Sequence, residues 1–195
     1  MKQLNSHDFE SVYKDLNINL DTLGCVMLDV IPLADMNAND HDGMEGLHIT
    51  TNPDRKWIAG WIAGDVAHIT LLYGLLDNAH NWEGHISKVL DGWHCDEVEI
   101  EGVSYFESPY ADEPYYCLVA HIKVTPELME GHNRMEFLPH INTFTGYKPH
   151  MTICYIRKDE KLRDELIERF NKMWAGKKLQ AKENINLGYK PKLKA

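Results

Sequence analysis

The alternation of apolar and polar positions divides the chain into short strands and amphipathic helices. Phe9, Val12, Tyr13 and Leu16 recur at helical spacing behind Ser6, a residue type that caps helix starts, and predict a first helix. The run Gly24 to Ile31 predicts a strand. From Pro32 to Ala67 follows a long polar stretch, a length that is uncommon unless the segment is functional or disordered. It contains the near-repeat WIAGWIAG, whose Trp57 and Trp61 fall on one side of a helical turn. Two apolar runs, AHITLLYGLL (Ala67 to Leu76) and KPHMTICYIR (Lys148 to Arg157), each read as a strand followed by a helix. The first helix has Asp77 or Asn78 as cap and Trp82, Ile86, Val89, Leu90 and Trp93 as its apolar stripe. The second has Asp159 as cap and Leu162, Leu166, Phe170, Met173 and Trp174 as its stripe.

Between these units, EVEIEGVSYFE (Glu97 to Glu107) alternates as a strand with one solvated face, with Gly102 as a bulge. Tyr115 to Val124 reads as another strand. Thr125 followed by Pro126 is a cap plus a proline at the first helical position, and Pro139 is expected to end that helix. A last strand is expected around ENINLGY before the end frays. The pattern predicts an α+β fold with mostly antiparallel pairing, in which a strand, motif, helix unit occurs twice.

Length and composition narrow this picture. With 195 residues and 44 % hydrophobic content, one domain over residues 1–195 is expected, with a lysine-rich tail from about 176 to 195. The formal net charge is −10, but that tail holds six lysines and a single acid, leaving 14 basic against 29 acidic residues, a net of −15, before it. So acidic a body argues against duplex nucleic acid, whose binding needs basic surface. A small anionic ligand held by a few local donors remains compatible. The four cysteines have no C-x-x-C spacing, and three lie in apolar strands, which fits reduced thiols in a cytoplasmic protein. The start of the chain lacks the apolar core of a signal peptide, and no stretch reaches the length of a membrane span.

The chemistry lies in the two apolar runs. Each reads His, any residue, Thr, two residues, Tyr, and the two histidines are 82 positions apart. In a strand, residues two apart share a face, so His68 projects with Thr70 and His150 with Thr152. Tyr73 and Tyr155 are expected on the opposite face. If the two strands lie side by side, two imidazoles and two hydroxyls converge on one cleft. One neutral imidazole can then take a proton from an attacking hydroxyl or water, while the other, protonated, donates to the leaving oxygen. The threonines can donate to non-bridging phosphate oxygens. No metal or cofactor is required. With 11 His and 8 Thr, roughly half an H-x-T triplet is expected by chance, so one match would mean nothing. A third, at His48 to Thr50, lies in the polar stretch and is set aside. The competing account is a pair of core histidines bonded to backbone.

The residues HITL and HMTI, the second preceded by GYKP, resemble the paired signature of the 2H phosphoesterase superfamily, which includes cyclic phosphodiesterases and RNA 2′,5′-ligase-like proteins. The resemblance implies a bilobal α+β fold with two pseudo-symmetric lobes, mostly antiparallel sheets flanked by helices, around a central groove. It also implies His68, Thr70, His150 and Thr152 as catalytic residues. Within the superfamily, the flanking residues are similar to phage-encoded nucleases that cleave cyclic nucleotide signals of bacterial antiviral defence, the anti-CBASS nucleases. That likeness implies action in the host cytoplasm. The long stretch before His68 departs from the compact pattern of that family.

Four further residues are candidate substrate contacts. Trp57 and Trp61 can stack on a base, although tryptophans at helical spacing are more often core. Tyr147 and Lys148 can meet a base and a phosphate, or can be a turn tyrosine and a solvated lysine. The segment Asn39 to His48 is rich in Asp, Glu and His but matches neither a zinc spacing nor a calcium loop, so no metal site is assigned. The expected activity is a metal-independent phosphodiesterase, monomeric, acting on a small nucleotide: a cyclic oligonucleotide or a 2′,3′-cyclic phosphate. Its rivals are a 2H enzyme working on RNA or tRNA ends, and a sponge that binds a nucleotide without turning it over.

Overall fold

A computed structural model of the chain describes residues 22–36, 67–108, 115–142 and 145–191. The expected first helix, Trp57, Trp61 and the acidic segment lie outside these residues. Strand β1 (Thr22–Ile31) is followed by β2 (His68–Leu76), a 3-10 turn (Ala79–Trp82) and helix α1 (Glu83–Val89). Then come β3 (Glu97–Glu107), β4 (Tyr115–Ile122), α2 (Pro126–Met135), β5 (His150–Arg157), α3 (Glu160–Trp174) and β6 (Lys178–Pro191).

The helix starts form where short-range chemistry dictates. Asn78 accepts from the His80 amide, Thr125 from the Leu128 amide ahead of Pro126, and Asp159 from the Leu162 amide. Two ends differ from expectation. Helix α1 stops at Val89, so Trp93 leaves the helix and donates through Nε1 to the Glu127 carbonyl at 2.8 Å, its indole lying against Gly131 of α2. Helix α2 ends at Met135 rather than at Pro139. The residues from Pro139 onward instead pair with β2: Leu76 donates to the Pro139 carbonyl, and Leu75 bridges His140.

All six strands are antiparallel neighbours in the order β2-β1-β6-β3-β4-β5. The last strand, expected around ENINLGY, begins earlier than that, at Lys178 inside the lysine-rich tail. From Lys178 it forms a long inner strand, pairing β3 through Lys178 to Gln180 and β1 from Gln180 onward. In β3 the irregularity falls at Glu101, next to the expected Gly102. Helix α3 covers one face of β3 and β4 with Leu166, Phe170 and Trp174, each worth about 1.5–3 kcal/mol when fully buried. The Asn171 amide clamps both backbone groups of Val103, and the Arg163 guanidinium lies 4.4 Å from the Tyr105 ring and 4.9 Å from that of Tyr116. Cys25, Cys95, Cys117 and Cys154 are buried free thiols, and burial pushes Cys154 well above the ordinary thiol range. No described helix is long and apolar enough to cross a membrane.

Candidate active site

The two motif strands occupy the outer positions of the sheet, and in both the motif histidine is the first residue. In β2, Asp29 faces His68 and Met27 faces Thr70. The next pairing is Val26 with Leu72, so Leu71 is an extra residue, a β-bulge. In β5, His121 faces His150 and Val119 faces Thr152. There the next pairing is Leu118 with Cys154, so Ile153 is the extra residue. The bulge thus follows the threonine at the same place in both copies.

This corrects one expectation. Paired residues of antiparallel strands share a face, and Cys25, Met27 and Asp29 alternate on one face of β1. Tyr73, opposite Cys25, therefore returns to the face of His68 and Thr70. By the same reasoning Tyr155, opposite Cys117, lies on the face of His150 and Thr152. Two consecutive buried residues, Leu71 with Leu72 and Ile153 with Cys154, absorb the shift in each strand. The repeated tyrosine five positions after each histidine is the mark of that bulge.

Register carried across the sheet puts both His-Thr pairs on one face. Asp29 is on the same face as Gln180 of β6, which pairs with Glu97, and that face continues to Ser104 and His121. Helix α3 packs on the other face, where Val103 lies. The two motif strands are not hydrogen-bonded neighbours, contrary to the side-by-side arrangement expected, yet β2 and β5 touch. Pro139 to Ile141 lie along the outer side of β2, and Tyr147 to Pro149 lead into β5. The sheet's two ends meet there.

Tyr147 and His132 hold that junction. The Tyr147 hydroxyl donates to the Thr70 carbonyl at 3.1 Å, and His132 donates through Nδ1 to the Leu71 carbonyl at 2.7 Å. Their rings stack with centroids 4.0 Å apart and 7° between planes. Both carbonyls belong to the bulge, where the strand ladder is interrupted. Burial raises the Tyr147 phenol far above the ordinary tyrosine range, so it stays a neutral donor. Tyr147→Phe, which keeps the stack and removes the hydroxyl, is expected to cost about 1 kcal/mol of stability. It should also lower kcat more than it raises KM, because it loosens Thr70; a melt and steady-state kinetics check both.

On the other side, the Lys148 carbonyl accepts from His150 Nδ1 at 3.0 Å. A carbonyl only accepts, so in this bond Nδ1 carries the hydrogen. The Lys148 side chain is exposed and lines a recess together with Glu101, His121 and Tyr147. Near Thr70, the Cys25 thiol lies 3.9 Å from the threonine hydroxyl. Three residues not singled out from sequence join this face. His121 lies across from His150 and contacts the Ser104 hydroxyl through Nε2. Phe106 meets the His150 ring edge to face at 4.9 Å. Only strand register reveals them, since none carries a motif of its own.

A family model described as the 2′-5′ RNA ligase superfamily matches residues 47–183, a span that includes both His-Thr motifs. No curated protein matches the chain in sequence. Among solved structures, Kluyveromyces marxianus Usb1 is similar at 11 % identity over 87 % of this chain and 97 % of that one, with a TM-score of 0.46. The structure of the same yeast protein with uridine monophosphate is similar at 13 % identity over 85 % and 97 %, with a TM-score of 0.41. The family match takes in more than half of the chain and both copies of the motif, and the chain belongs to the 2′-5′ RNA ligase superfamily of 2H phosphoesterases.

Proposed function

We propose that the chain is a metal-independent phosphodiesterase that cleaves a small nucleotide by two-histidine acid–base catalysis. The observation that carries this reading is the doubled site: two His-Thr pairs, each followed by the same bulge, on one face of a sheet whose motif strands touch. His68 and His150 exchange the protons, and Thr70 and Thr152 donate to the non-bridging oxygens. On a cyclic oligonucleotide, a ribose 2′-hydroxyl loses its proton to one imidazole and bonds to the adjacent phosphorus. The other imidazole protonates the departing 5′-oxygen, and a 2′,3′-cyclic phosphate results. On a 2′,3′-cyclic phosphate, water attacks instead and one ribose oxygen leaves. A cyclic oligonucleotide is the first candidate because the motif flanks resemble the anti-CBASS nucleases; on that reading the enzyme works as a monomer in the cytoplasm.

The family's description favours a second reading, an enzyme of RNA ends. The acidic body speaks against a long RNA, and substrate length separates the two. The test is incubation in EDTA with cyclic di- and trinucleotides, 2′,3′-cyclic mononucleotides and short RNAs, followed by product separation. Cleavage of the small substrates, with a bell-shaped pH dependence, is the expected outcome. Turnover confined to the RNAs would establish the second reading, and loss of all activity in EDTA would sink the metal-free scheme.

A further inference from the structure

Phe106 is 43 % exposed although it stands in mid-site rather than on an outer surface. It projects from β3 across the face that carries His150. Its ring lies 4.9 Å from that of His150 and 6.3 Å from that of His121, at 79° and 90° between planes. His121 also lines a recess of about 280 Å³, together with Glu101, Tyr147, Lys148 and the 42 % exposed Val124. Phe106 and Val124 are two of the four exposed large apolar side chains among the described residues. The recess is near the lower end of the size range of small-molecule sites.

We propose that Phe106 is the platform on which the nucleobase beside the scissile phosphate stacks, on the His150 side of the site. The inference rests on the phosphodiesterase reading and adds to it the place and the chemistry of base recognition. Every base has a π-face, so a half-exposed aromatic ring beside the His150 imidazole suits this occupant. An aliphatic ligand is disfavoured by the surroundings: Ser104 and His121 offer a hydroxyl and an imidazole beside the ring, and Glu101 and Lys148 a carboxylate and an ammonium in the recess that His121 also lines. Those groups match the polar edge of a base and the phosphate that follows it. The phosphate would then lie next to His150, which exchanges the proton.

The experiment is calorimetric binding of adenosine 3′-monophosphate and of ribose 5-phosphate to the full chain and to Phe106→Ala and Phe106→Trp, with turnover measured in parallel. Phe106→Ala is expected to weaken the nucleotide about 10- to 100-fold and to leave ribose phosphate unchanged, while Phe106→Trp retains nucleotide binding. Equal weakening of both ligands would mean that Phe106 only orients His150 and would overturn the proposal. No effect on the nucleotide, or no binding of it by the wild type, would overturn it too. Phe106-dependent binding without turnover would keep the platform and remove the catalysis; turnover indifferent to Phe106 would do the reverse.

Discussion

Replacing His68 and His150 together with alanine abolishes turnover and leaves a folded protein. In the proposed mechanism each imidazole moves a proton in the same transition state, and one positioned acid or base contributes about 10²–10⁴-fold. Two groups acting as a unit lose most of their effect at the first substitution, so either single variant is expected to fall nearly as far as the double. Both rings are only half-buried on a sheet face, and their loss opens no core cavity. Circular dichroism and melting of the variants, beside a turnover assay, check both halves. Unfolding of the double variant would return the histidines to the role of structural core residues.

The second large effect is expected far from any chemistry. Gly74 has φ +103°, and a Cβ there would lie 2.3 Å from the Ile141 carbonyl oxygen, a backbone atom that cannot turn away. The same two residues are tied by the Ile141 amide, which donates to the Gly74 carbonyl at 2.8 Å. Gly74→Ala therefore strains its own backbone and drives β2 away from Ile141, in the segment between α2 and β5. A loss of about 2–3 kcal/mol follows. For a chain of this size that is a fall in Tm of roughly 5–10 °C. Activity falls with it, since this segment leads to Tyr147 and His150. Gly146 is the control: its φ is +79°, but a Cβ would meet nothing within 4 Å. Gly146→Ala should cost only about 1 kcal/mol. Equal losses at the two positions would show that the close approach of Gly74 to Ile141 carries no weight.

Gly74 also marks a limit of the sequence. Read along the chain, it is one glycine in an apolar strand; its importance comes from Ile141, 67 positions away. The helix caps behave otherwise. Asn78, Thr125 and Asp159 act on amides two or three residues ahead, so each was legible from its neighbours. The strands were legible from their period of two, and His68, Thr70, His150 and Thr152 from a motif that repeats with the same tyrosine behind it. Tyr73 and Tyr155 were visible but placed on the wrong face, because a bulge is a property of two paired strands. The last strand was legible around Glu183 to Tyr189, but its start at Lys178 and its inner place in the sheet were not, since charged residues punctuate it and only the strands on both sides hold it there.

The amino-acid sequence by itself determined the α+β class, the helix starts, the strand positions and the paired chemistry, all of which depend on contacts within a few residues. The tertiary structure decided the strand order, the position of the bulges, the meeting of β2 with β5, and the company of His121, Phe106 and Tyr147 around the site. Those depend on register between segments tens of residues apart, where a shift of one residue turns every side chain to the other face.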